Sequence, residues 1–188
     1  MTAAPEWTLT YDVGSAAELQ ALAVALAPHL RPADLLILAG ELGAGKTTFT
    51  QGLGRGLAVE DRIISPTFVL VRQHSSTGDG PGLVHVDAYR LESAAAVDDL
   101  DLEATLAANV TVIEWGAGRV EHLSDSWLRV DLTRPIGGVP PGDPGVGPIT
   151  AFDPMTDFDD DAADEVRTVT LAGFGPRWNG RQPALSLD

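Results

Sequence analysis

The stretch "GELGAGKTTF", residues 40–49, matches the phosphate-loop pattern G-x-x-x-x-G-K-[ST], and its surroundings decide how the chain is read. It follows the apolar run "DLLILAG" (34–40), of the kind buried on both sides of a parallel sheet. It opens a segment with Phe49, Leu53 and Leu57 four apart, the spacing of an amphipathic helix. Strand, glycine loop and helix in that order are what phosphate binding requires. The glycines let backbone N–H groups point inward without Cβ obstruction, and the helix adds its N-terminal dipole. On this reading Gly43, Ala44, Gly45, Lys46, Thr47 and Thr48 cradle the phosphates. Lys46 reaches the β- and γ-phosphates, and the Thr47 hydroxyl is placed to ligate Mg²⁺.

Outward from the loop, "WTLTYDV" (7–13) alternates as a strand. "SAAELQALAVALAPHL" reads as a helix, with Ser15 and Glu18 at capping-box spacing and Leu19, Leu22, Ala23 and Leu26 on one face. "FVLVRQH" and "LVHVDAYRL" form a hairpin across "SSTGDGPG", and residues 93–107 form an interrupted helix. "NVTVIEWG" (109–116), "SWLRVDLT" (126–133) and "EVRTVTLAGF" supply the remaining strands. The expected architecture is α/β: one P-loop domain over 1–173, with a mixed, largely parallel central sheet flanked by helices. Residues 134–165, rich in Pro, Gly and Asp, read as a disordered or loosely draped insertion, and 174–188 as a flexible, frayed tail.

A phosphate loop also needs an acid at the end of a neighbouring strand to hold the metal. Glu114 ends the apolar strand "VTVIE", where open α/β sheets place their ligands. Asp87 interrupts "VHVDAYRL" on the pleat face of His85 and Tyr89. Either could be the direct Mg²⁺ ligand, and the plain alternative is a solvent-facing edge-strand acid. Thr67 in "SPTF" lies where switch threonines sense a γ-phosphate. Trp115 could stack on a nucleotide or cover the sheet edge. His85 reads as a packed, hydrogen-bonded strand residue rather than a catalyst, and four scattered histidines without cysteine offer no zinc site.

The formal net charge is −15, and eight Asp or Glu without any Lys or Arg between Pro135 and Glu165 leave about −7 on the remainder. Nucleic-acid affinity depends on Lys and Arg neutralising phosphates, which argues against independent DNA or RNA binding. No apolar run is long enough to span a bilayer, and the N-terminus lacks the pattern of a secretory signal, so a cytoplasmic protein is expected.

"GELGAGKTTF", "SPTF", "HVDAYRL" and "VIEWG", in that order and spacing, resemble the TsaE (YjeE) family over residues 7–133 and again at 166–172. The resemblance implies a weak ATPase using ATP and Mg²⁺. It also implies a partnership with the TsaB–TsaD heterodimer, which transfers threonylcarbamoyl to adenosine 37 of tRNAs reading ANN codons; tRNA would be met only through that complex. Thr47 and Glu114 would then bind Mg²⁺, and Asp87 would position or activate the attacking water. Tyr89, Arg90 and Trp115 match motif positions. The acidic insertion and the stretch after Gly173 depart from the pattern. A small-molecule kinase is the alternative, but such enzymes carry an arginine-bearing lid, whereas the long insertion here is acidic. A guanine switch lacks its N-K-x-D string, and an inert nucleotide-binding module would not need both acids beside Lys46.

Overall fold

The computed structural model describes residues 4–59, 62–66, 69–91, 93–134 and 166–186. Seven strands form one sheet: β1 (Trp7–Val13), β2 (Leu35–Ala39), β3 (Val71–His74), β4 (Gly82–Asp87), β5 (Asn109–Glu114), β6 (Trp127–Thr133) and β7 (Arg167–Phe174). Their spatial order is β1-β7-β6-β2-β5-β4-β3. The central four, β6, β2, β5 and β4, run parallel. The flanking pairs β1/β7, β7/β6 and β3/β4 are antiparallel, which makes the sheet mixed as expected.

Helices α1 (Ala16–Leu26) and α2 (Lys46–Gly56) cover one face of the sheet. The short helices α3 (Ala94–Asp98) and α4 (Glu103–Leu106) belong to the cluster on the other, replacing the single interrupted helix read from 93–107. Burial on both sides explains the continuous apolar run of β2. Leu36 and Leu38 pack with the α1 and α2 cluster, while Leu35 and Ile37 pack with Val97, Leu102 and Leu106.

Local chemistry fixes how α1 and α2 sit. The Ser15 side chain accepts from the Glu18 amide at 3.1 Å, and the Glu18 carboxylate accepts from the Gly14 amide at 2.8 Å, one residue earlier than in a strict capping box. The buried face of α1 is Leu19, Leu22, Ala23 and Leu26. On α2, Gly52 and Gly56 stand one turn apart against α1. A Cβ on Gly52 would lie 2.8 Å from the Ala23 Cβ, and one on Gly56 3.0 Å from the Val24 carbonyl oxygen. The two helices therefore meet almost backbone to backbone, which places the start of α2 at the end of β2.

The stretch after β7 does not behave as a frayed tail. Trp178 is 1% exposed, lies edge-on to Trp7 with ring centroids 5.8 Å apart, and accepts the Trp7 indole N–H through its carbonyl at 3.0 Å. Arg177 forks onto the buried Asp34, with two nitrogen–oxygen contacts of 3.1 Å. The buried indole and the Arg177–Asp34 fork together tie this strand exit to the core, contacts that local composition does not reveal. The insertion read at 134–165 lies, apart from Arg134, outside the described residues. On either side of it, Thr133 pairs with Thr168.

Candidate functional site

Three chain segments meet beyond the carboxyl ends of β2, β4 and β5. After β2 the chain turns through Gly40, Gly43 and Gly45, all at positive φ. Gly45, at φ 102°, caps α2, and a Cβ there would come within 2.6 Å of the Leu19 side chain. Only glycine meets both demands at once. The amides of Lys46, Thr47 and Thr48 lack intrahelical acceptors, and among the described residues no side chain caps this end of α2, which leaves them for an anion.

Lys46 is 5% exposed, and its ammonium donates to the carbonyls of Gly40 (3.0 Å) and Glu41 (2.9 Å). The Trp115 indole lies over the same ammonium, 3.7 Å from nitrogen to ring centroid. Burial lowers the pKa of Lys46 from the ordinary lysine value, while the charges of Glu114 and Asp87 pull it back up. Both acids are thus close enough to act on the phosphate-loop lysine.

The β4/β5 register sets Asp87 directly opposite Glu114, each the last residue of its strand. They are 4% and 3% exposed, so neither is a solvent-facing edge acid. Oε1 of Glu114 accepts the Thr47 hydroxyl at 3.0 Å and faces His85 Nε2 at 2.8 Å. Oδ1 of Asp87 accepts the Tyr89 amide at 2.9 Å, an Asx turn that aims the carboxylate. Arg119 holds the two strand exits together: its guanidinium donates to the carbonyl of Trp115 at 2.6 Å and to that of Leu91. Trp115 stands in the left-handed region at φ 63° and meets Tyr89 edge-on at 5.2 Å.

Gly43, Ala44, Gly45, Lys46, Thr47, Thr48, Asp87, Glu114 and Trp115 therefore share one site. Thr67 lies outside the described residues. One contributor, Arg119, and the partner of another, His85, escaped the sequence reading. Arg119 acts through backbone carbonyls and has no motif. His85 was read as packed and hydrogen-bonded, which it is, but its acceptor, Glu114, follows only from the β4/β5 register.

A hydroxyl and two carboxylates form a hard oxygen donor set. Among the described residues no group of three or more His, Cys, Asp or Glu forms a metal cage. Mg²⁺ needs none where one or two carboxylates and the substrate's phosphates complete its shell, so the residues present fit it through Thr47 and Glu114, with Asp87 alongside.

A family profile described as "Threonylcarbamoyl adenosine biosynthesis protein TsaE" matches residues 13–136. A Streptomyces coelicolor protein named "tRNA threonylcarbamoyladenosine biosynthesis protein TsaE" is 48% identical over 154 residues, covering 81% of this chain and 88% of that protein. A Bacillus subtilis protein of the same name is 36% identical over 118 residues, covering 62% and 72%. The crystal structure of Bacillus subtilis YdiB superposes with a TM-score of 0.63 at 27% identity, over 93% of this chain and 90% of that one. Phosphate loop, paired acids and these likenesses agree: the chain belongs to the TsaE family.

Proposed function

We propose that the protein is a Mg²⁺-dependent ATPase of low intrinsic turnover that serves threonylcarbamoyladenosine formation at adenosine 37 of tRNA. One observation carries the reading: Asp87 and Glu114 end adjacent parallel strands side by side, facing the buried Lys46 and Thr47 of the phosphate loop. The names of the relatives supply the pathway.

The unpaired amides at the start of α2 hold the phosphate oxygens, and Lys46 neutralises the bridging charge. A bound Mg²⁺ would neutralise charge developing on the β- and γ-phosphate oxygens, held by Thr47 with Glu114. Asp87, kept in place by the Tyr89 amide, orients the attacking water and takes its proton as the bond to the γ-phosphorus forms and ADP leaves. Thr67 senses the γ-phosphate, and its release on hydrolysis is the signal passed on. Trp115 holds Lys46 toward the phosphates rather than stacking on the base. With a charge of −15 the chain would be repelled by a polyanion. It therefore acts on tRNA through a TsaB–TsaD partner in the cytoplasm, resetting that complex between turnovers. Among the described residues no helix is long and apolar enough to cross a membrane.

A reconstitution with TsaB–TsaD and tRNA tests this. Asp87→Asn should lower phosphate release by about 10²–10⁴-fold, the usual span for losing a general base, with nucleotide still bound. Multiple-turnover modification should then fail while the first turnover survives. Multiple turnovers undiminished in Asp87→Asn and Glu114→Gln would refute the reset. Absence of phosphate release by the parent without an acceptor would point instead to a kinase.

A further inference from the structure

His85 is fully buried in β4 between Val84 and Val86, positions filled by aliphatic side chains. An imidazole there is an expensive way to fill space. Its Nδ1 is buried and meets no hydrogen-bond partner among the described residues, and an unmet buried polar atom is destabilising. The compensation lies at the other nitrogen, where Nε2 stands 2.8 Å from Oε1 of Glu114. A carboxylate can only accept, so Nε2 carries a proton and donates it. That same Oε1 takes the Thr47 hydroxyl at 3.0 Å. Two donors from two different elements thus hold one oxygen of a buried carboxylate.

We propose that His85 is a positioning residue that, with Thr47, pins Oε1 of Glu114 and leaves Oε2 as the oxygen offered to a divalent cation or to its bound water. The inference rests on the metal–nucleotide reading of the site given above. It adds the requirement that the acid be oriented from behind by an imidazole on the neighbouring strand. Outer partners of this kind hold a ligand's rotamer before the metal arrives, and removing one commonly weakens metal binding by about 10–100-fold. A space-filling role predicts something else: lower stability, with no selective effect on the metal.

The test is Mn²⁺ titration, read by electron paramagnetic resonance, of the full chain with a non-hydrolysable ATP analogue. His85→Leu should weaken Mn²⁺ binding by about 10–100-fold while leaving nucleotide affinity in the presence of chelator unchanged. His85→Gln, whose amide can donate to Oε1, should recover most of the loss. In a Glu114→Gln background His85→Leu should add no further loss, because the group it positions is gone. Should the apolar variant fail to fold, His85→Asn, whose shorter amide falls short of Glu114, carries the same comparison. Mn²⁺ binding by the leucine or asparagine variant at parental strength, or an equal loss with and without the Glu114 carboxylate, would overturn the inference. A parent that binds no Mn²⁺ with nucleotide would overturn the proposed function and this inference together.

Discussion

Lys46 holds its charge at 5% exposure between two loop carbonyls, an indole face and two carboxylates. Burial is the largest influence and lowers its pKa, since a desolvated ammonium gives up its proton more readily. A phosphate chain would add negative charge beside it and raise the value again. Nucleotide binding should therefore take up a proton at pH values between the depressed pKa of the free protein and the raised one of the complex, and affinity should fall as pH rises through the depressed value. Calorimetric titrations in buffers of different ionisation enthalpy check this; proton release, or no linkage, would mean that Lys46 does not meet the phosphates. At this scale the site was largely legible in the sequence. Lys46 and Thr47 belong to a motif whose spacing is its mechanism, and Glu114 stands out as an acid closing an apolar strand. The stacking of Trp115 on Lys46 was not legible, because it depends on a left-handed turn that no residue type there announces.

The α1/α2 pair shows how an element carries the site. Because α2 begins in the phosphate loop, its position sets where the free amides point, and that position depends on glycines at the crossing. Ala at position 52 would favour helix by about 1 kcal/mol over Gly. Its Cβ, however, would meet the Gln20 carbonyl and the Ala23 Cβ, where backbone cannot yield cheaply, and overpacking of that kind costs typically about 1–3 kcal/mol. The clash should win. Gly52→Ala is expected to lose up to about 2 kcal/mol net, measured by urea unfolding, and to weaken nucleotide binding as α2 shifts. Unchanged stability would mean that the helices can separate freely. Most strand boundaries were readable from alternation and apolar runs, but β3 begins at Val71 and β4 already ends at Asp87, so Tyr89 lies in a turn rather than on the strand face of His85. The splitting of residues 93–107 into two short helices was foreshadowed only by the broken period of "DDLDLE".

Over the whole molecule, the sheet is completed at its far side by residues that looked dispensable. Trp7 and Trp178 stand 171 positions apart, yet one indole N–H bonds the other residue's carbonyl, and Arg177 closes on Asp34 beside β2. Composition alone reads "GPRWNGRQ" as a trailing end, because long-range burial leaves no local signature. Trp178→Ala should cost about 3–5 kcal/mol, as large aromatic truncations in cores do, and should be seen as a lower midpoint in chemical denaturation. A loss below about 1 kcal/mol, the level of an ordinary surface substitution, would show that the segment does not bear on the core.

The pairing of Thr133 with Thr168 means that whatever lies between them departs from and returns to one rung at the end of the β6/β7 ladder. For a flexible connection in general, the entropic cost of closure grows slowly with length, about 0.6 kcal/mol for each doubling. Because the ladder holds both ends, a change of length between them should leave the seven-strand frame and the phosphate cradle in shape.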